Sequence, residues 1–552
     1  MRITDALARP ARGLARTVFV RPFTRLRGRP PGPGEKGVAG VVVLALLIAA
    51  AFLVIPVLNE DDCAQGLQEQ KGECVGLLDA TAKSPSFEPG AHGPDPRISH
   101  LVESVAEENQ RVRDAWEHPD EDAHKKPYVK VALLLPFNGS ESGAMTTELL
   151  QHSLAGAYSA QHKANRGQTG VNFQMLLGNI GKDLSLWRPA VRQAAKLTGH
   201  KRPSEGDSPL VGAMGLPNSE QDTQDAAEDL TRRGVPAVSG LLSSPEIDAG
   251  LLFKAAPNNR NSVAALARYL KDEPGKGRGY LVWDSRTKDN YVTNTKAELD
   301  RRFGKHYQLR IRQSSYVGSM GPYEGAPHAM ASAAEGVCKT GSDTVFLAGR
   351  DWDLPYLVEA IAKEPECQGR EEKDTIRILR VATGLTSRLI TGKSRALMEQ
   401  AGVVTLNAAA TDAPSWRAGQ GEPEQFVPFT DALADETGLK GRALDDGYAL
   451  MHYDAFQVLA QAVTEAEQQL PGPQLPSKHD VANTVENMRM LPDDDCHNCV
   501  RGATGNFGYT TGNGNWPVCK PVPVIEFPRP SGYTPPKPYR TNQSKSGACP
   551  AE

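Results

Sequence analysis

The 552-residue sequence lacks the short motifs that mark common catalytic sites: there is no HExxH pair, no GxSxG elbow and no GxxxxGK[ST] phosphate loop. It also lacks a strong charge of one sign. Lys and Arg number 62 against 66 Asp and Glu, a net charge of −4, so nothing marks the whole chain as a nucleic-acid binder. The acidic run 493–495 has no spaced ligands of a calcium loop and reads as a solvated loop. CHNC, with Cys496 and Cys499, has one histidine beside it. That falls short of the four ligands of a structural zinc site, and a disulfide is the reading that remains. The glycine clusters GKGRG at 275–279 and GNGN at 512–515 are turns without phosphate-binding spacing. No catalytic set and no cofactor site assembles, so an enzyme is not expected.

What is present begins with a basic arm. Residues 1–36 carry Arg2, Arg9, Arg12, Arg16, Arg21, Arg25, Arg27, Arg29 and Lys36 against Asp5 and Glu35. The run 37–58, GVAGVVVLALLIAAAFLVIPVL, has no charged residue and at 1.5 Å per residue is long enough for a hydrocarbon core of about 30 Å. NEDD follows at 59–62. By the positive-inside rule, the chain is expected to be a single-pass protein of the cell membrane with its N-terminus cytoplasmic and everything after residue 58 outside. No small-x-small cleavage site follows the apolar run, and Cys63 comes after acidic residues, so neither a cleaved signal nor a lipidated cysteine is expected.

All eight cysteines lie on that outer side, and an even number in an oxidising compartment points to disulfides. Proximity suggests Cys63 with Cys74 and Cys338 with Cys367. The last four pair as Cys496 with Cys499 and Cys519 with Cys549, or crosswise. NGS at Asn138 and NQS at Asn542 fit glycosylation sequons.

Residues 59–127 are polar and broken by Pro and Gly, which suggests a juxtamembrane stalk with a small disulfide loop. One helix is expected there, over 98–116, packing through Ile98, Leu101, Val102, Val105 and Val112. From Val129, VKVALLLPF opens an alternation of apolar strands and helices that runs to KPVPVIEF at 520–527, as a parallel doubly wound sheet requires. So long an alternation exceeds one sheet and implies two lobes. The Pro-rich segment 529–552 reads as an extended tail.

The stretch 210–247 is a βαβ unit: LVGAM, the loop GLPNSE, an amphipathic helix ending at Gly234, VPAVS, and a second loop running into Pro245. Parallel sheets bind ligands at their carboxyl edge, where Asn218, Ser219, Ser239, Ser243 and Ser244 fall. The same residues also serve as helix N-caps in any α/β protein.

VKVALLLPF, VGAMGLPNSE, VPAVSGLLSSPEI, YLVWDSRTKDNY, DTVFLAGRDWDLPYLVEAI, YALMHYDAFQVLAQAV and VRGATGNFGYTTGNG occur in that order. Together they resemble the branched-chain amino-acid receptor family of ABC-type extracytoplasmic solute-binding proteins. The resemblance covers 129–527 and implies a type I periplasmic-binding fold, two Rossmann-like lobes joined by three hinge crossovers near Pro257, Thr383 and Gly505. The implied bounds are 128–257 with 384–505 for lobe 1, and 258–383 with 506–528 for lobe 2. It also implies a small polar ligand, an amino acid or similar, held between the lobes. Ser243 and the backbone at Leu241 would take the ligand carboxylate, with Asn218 or Ser219 from the first loop. Tyr291 would contribute from the second lobe and Asp353 would take the ammonium, unless it is simply a helix N-cap. Arg350 would serve an acidic group of the ligand or pair with Asp351. An ABC permease is the implied partner. A ligand-independent regulatory domain acting on a cell-envelope protein is the alternative on the same fold.

Overall fold

The computed structural model describes residues 63–549, apart from 81, 83–85, 88–94, 120–124, 139–142, 168, 273–276, 287, 319–325, 369–374, 491–495, 497, 511 and 543–548. The arm 1–36 and the membrane helix expected over 37–58 lie outside the described residues. Among the described residues no helix is long and apolar enough to cross a membrane.

Two α/β lobes form one compact unit. The first is built on Tyr128–Leu135, whose side chains are buried on both faces except at Lys130. That near-continuous apolar run suits a central parallel strand covered by helices on each side. It pairs with Asn172–Asn179 on one edge and Leu210–Gly215 on the other, and Ala237–Ser239 and Leu252–Lys254 extend the sheet. The second sheet runs Gln313–Tyr316, Gly279–Asp284, Thr344–Ala348, Ile376–Ala382, Val403–Ala409, all parallel, and closes on the antiparallel edge strand Val524–Phe527.

The stalk expected over 59–127 is instead part of the first lobe wherever it is described. Leu67–Gln70 and Glu73–Leu77 form a hairpin that joins the sheet antiparallel to Asn172–Asn179. The helix Pro96–Glu117 buries Ile98, Leu101, Val102, Val105 and Val112, the stripe read from sequence. Its polar residues dock as well. Asn109 donates to Met175 O at 2.8 Å and accepts from Met175 N at 2.9 Å, completing bonds of a sheet strand. A polar stretch that hydrogen-bonds the core looks like a spacer in sequence.

Three crossovers join the lobes, the first at Pro257 between Leu252–Lys254 and Asn259–Asp272. The second does not fall near Thr383. Val403–Ala409 is a strand of the second sheet, so the chain crosses after it. The Thr383–Gly384 turn is a contact point between lobes: a Cβ at Gly384 would lie 2.3 Å from Asp445 O, and Leu385 N donates to that carbonyl at 2.6 Å. The third crossover follows Gly505–Phe507, which pairs back on Val500–Gly502, and precedes Val524–Phe527. Buried Lys520 pins it to the first lobe, with Nζ 2.7 Å from Asp454 on the helix Tyr448–Gln469.

Gln308 takes φ 56° and caps the helix Asn290–Tyr307, and the edge strand that follows is short, Gln313–Tyr316. The tail is not free either: Tyr539–Arg540 pairs with Pro521–Val522, and Cys519 bonds Cys549. Disulfides also join Cys63 to Cys74, Cys338 to Cys367 and Cys496 to Cys499.

Candidate functional site

The carboxyl edges of the two sheets face each other across a cavity of about 100 Å³. Asn218, Ser219, Leu241, Ser243, Tyr291 and Arg350 line it, and Asp353 does not.

The first-lobe loops hold each other. Asn218 donates to Ala144 O at 2.9 Å, and the Ser219 hydroxyl accepts from the backbone N–H of Ser243 and Ser244 at 3.2 and 3.3 Å. Ser239 accepts from Leu241 and Leu242 N–H, both at 3.2 Å, as a cap would. Asn218, Ser219 and Ser239 therefore spend hydrogen-bonding capacity on loop structure. Ser243, half-buried, lines the cavity.

From the second lobe, Tyr291 sits in the first turn of Asn290–Tyr307. Its hydroxyl donates to Val381 O at 2.8 Å, so the cavity meets the ring, not a free O–H. Burial pushes that phenol far above its ordinary range. The Arg350 guanidinium lies 4.9 Å from the ring centroid. Arg350 does not pair with Asp351, which bonds Arg380 instead. Its partners are Asp289 at 2.8 Å and, from the other lobe, Glu220 at 2.9 Å. Burial pushes Glu220 up to about 7, with the charge of Asp289 adding and that of Arg350 opposing.

Asp353 departs from the expectation. It is fully buried behind the cavity wall, accepting from the Tyr316 hydroxyl at 2.7 Å and from Arg350 N at 2.9 Å. It occupies the N-cap position of Leu354–Lys363 but makes no capping bond to that helix. Burial raises it to about 7, against the two hydrogen bonds that lower it. The carboxylates that do line the cavity are Glu148 and Asp351.

The lobes are joined by bonds of their own. Besides Arg350 and Glu220, Asn294 donates to Glu246 at 2.6 Å, Ser387 donates to Glu148 at 2.7 Å, and Tyr291 N donates to Ser219 O at 3.2 Å. Sequence reading missed Thr146, Glu148, Trp352, Thr386, Ser387 and Tyr448, which also line the cavity. Thr146 is the N-cap of Thr147–Arg166, and Tyr448 opens the helix written by YALMHYDAFQVLAQAV. Trp352 Nε1 and Thr386 Oγ1 are buried polar atoms with no hydrogen-bond partner. Among the described residues no three His, Cys, Asp or Glu side chains group as a metal site.

No protein-family model matches the sequence, and no curated protein matches it. Solved structures do. A solute-binding protein of an ABC transporter from Rhodopseudomonas palustris BisB5, in complex with 3,4-dihydroxybenzoic acid, superposes with a TM-score of 0.52 at 11% identity, covering 75% of this chain and 97% of that one. An ABC transporter substrate-binding protein from Desulfitobacterium hafniense in complex with Leu gives 0.49 at 14% identity, over 75% and 99%. A leucine-binding protein from Thermotoga maritima MSB8 gives 0.47 at 16%, over 72% and 94%. The chain has the type I periplasmic-binding fold, the fold of the solute-binding proteins of ABC transporters.

Proposed function

We propose that this protein is a membrane-anchored extracytoplasmic receptor that captures a small polar solute between its lobes and hands it to an ABC permease. The observation that carries the reading is the cavity itself, set at the carboxyl edges of both sheets and lined from both lobes by Ser219, Ser243, Tyr291 and Arg350. Ligands of open α/β sheets bind at that edge. The anchor is the uncharged run 37–58, which leaves the lobes outside the cell.

Ligand contacts follow from the hydrogen-bond inventory. An acidic group suits Ser243, Thr386 and Trp352, residues of the cavity lining whose side chains carry donors, those of Thr386 and Trp352 buried and without a partner. An amine suits Asp351 or Glu148, since Asp353 is enclosed behind the wall. An amino acid or an aromatic acid fits this set. The solute-binding proteins of the same fold named above were solved with Leu and with 3,4-dihydroxybenzoic acid. The reading involves no cofactor and no chemical step.

Thermal unfolding against a panel of amino acids, aromatic acids and small polar metabolites tests it. A ligand at 100 times its dissociation constant adds about 2.7 kcal/mol to stability, a shift of a few degrees in a chain of this size. One compound class should move the midpoint, and Ser243→Val should reduce the shift. A second reading has one specific support: the bonds that cross between the lobes are made by the chain itself, as suits a regulatory domain held closed for a cell-envelope partner. A panel without any shift would favour it.

A further inference from the structure

The helix Arg188–Lys196 lies on the outside of the first lobe. Pro189, Ala190, Val191 and Ala194 face the core, while Arg188, Arg192 and Lys196 are exposed. These three recur every fourth residue and form one stripe about 12 Å long. Exposed Lys201 and Arg202 continue it, and Leu197 is 39% exposed beside it. Between 182 and 204 the one acidic residue is Asp183.

Among the described residues no carboxylate pairs with this stripe. Arg188 stacks on the Trp187 ring at 4.4 Å, and Arg192 donates to Arg188 O at 3.2 Å. Both open onto a groove of about 330 Å³ that Arg232 and Arg233 also line. The carboxylates of that groove are engaged elsewhere. Asp229 pairs with Arg232 and Arg233 at 3.1 and 2.9 Å, Glu228 pairs with Arg232 at 3.7 Å, and Asp225 accepts from Gln221 at 2.9 Å.

The same helix touches the start of the described chain. Gln193 accepts from Leu77 N at 2.7 Å and donates to Gly66 O at 2.8 Å, clasping the first hairpin. Gly66 follows the end of the uncharged run, Leu58, by eight residues, which span at most about 29 Å fully extended. A chain anchored through 37–58 therefore cannot carry this helix far from the bilayer.

We infer that the exposed face of Arg188–Lys196, continued by Lys201 and Arg202, docks on anionic lipid headgroups and fixes the first lobe against the membrane. The inference rests on the anchored reading above. Lys and Arg side chains gain from an anionic surface only within about a Debye length, an approach that a tether of at most about 29 Å permits. Arg188 and Arg192 offer guanidinium forks to phosphate oxygens, and Leu197 offers an apolar contact at the headgroup level.

Full-length protein reconstituted in lipid discs tests this, with discs of phosphatidylcholine alone compared with discs of equal parts phosphatidylcholine and phosphatidylglycerol. The readout is the rate of amine labelling at Lys196 and Lys201, with Lys305 of the second lobe as reference. Labelling of Lys196 and Lys201 should slow about five-fold or more in the anionic discs while Lys305 is unchanged. Salt at about 1 M, where the Debye length is about 3 Å, should restore it, as should R188E/R192E. Equal rates in the two lipids, or slowing that persists in R188E/R192E, overturns the surface assignment alone. Failure of the chain to enter discs in a carbonate-resistant form overturns the anchored reading, and the surface assignment with it.

Discussion

Arg350 of the second lobe donates to Glu220 of the first at 2.9 Å while holding Asp289 of its own lobe at 2.8 and 2.9 Å. One guanidinium thus belongs to both lobes and to the cavity wall. All three side chains are nearly buried, at 11% exposure for Arg350, 8% for Glu220 and none for Asp289. Such a network is costly to break by halves. Arg350→Ala should leave buried Glu220 without its partner, while Asp289 keeps Arg286 at 2.8 Å, and should cost about 3 kcal/mol in urea unfolding.

Glu220 is expected to make lobe closure depend on pH. Its pKa is raised to about 7 in the joined lobes, and opening would return it toward the ordinary carboxylate value. The joined state then binds the proton more tightly. The gain is fully present below the ordinary value and is lost as pH rises through about 7. Small-angle scattering should show the radius of gyration growing across that window, for a linkage on the order of 3 kcal/mol. In Glu220→Gln the profile should be flat.

Asp353 is expected to act on stability more than on ligand affinity. Its pKa near 7 means that ionisation above neutral pH works against the fold, so stability falls as pH rises from the carboxylate range toward 7. Asp353→Asn removes that charge while keeping an acceptor for the Tyr316 hydroxyl and Arg350 N–H, and should cost less than about 1 kcal/mol at pH 8. Asp353→Ala strands both donors and should cost about 1–3 kcal/mol. Neither should abolish ligand binding, because the side chain is absent from the cavity lining.

The Lys520–Asp454 pair carries the third crossover. Asp454 also accepts from Ala503 N at 2.6 Å and from the Thr504 hydroxyl, so a single residue of the helix Tyr448–Gln469 holds three donors of the closing segment. Asp454→Ala should cost about 3–5 kcal/mol in denaturant unfolding. Asp454→Leu combined with Lys520→Met should cost less than Asp454→Ala, since no buried charge is then left alone.

The two-lobe architecture was legible because parallel strands buried on both faces write themselves as apolar runs such as VKVALLLPF and DTVFLAG. The loops of 210–247 were legible for the same reason, since the strands before them fix which end of the sheet they occupy. Positions set by tertiary contact were not. Val403–Ala409 gives the same pattern in either sheet, and only its pairing with Ile376–Ala382 assigns it. The docking of Pro96–Glu117 depends on Asn109 reaching Met175, a bond between residues far apart in sequence. Asp353 had two readings in sequence, ammonium ligand or helix cap, and it makes neither a helix cap bond nor a cavity wall. Its neighbour Asp351 faces the cavity, a difference of half a turn that no local pattern sets.

The measurement that bears most directly on solute capture is calorimetric titration of the compound that stabilises the protein most, into the native chain and into Ser243→Val. The account predicts one site between the lobes with a negative heat-capacity change from burial of the ligand, and an affinity at least about ten-fold weaker in Ser243→Val, the loss of roughly one charge-assisted hydrogen bond. Binding of equal strength in both proteins would place the ligand elsewhere and contradict the assignment of the cleft.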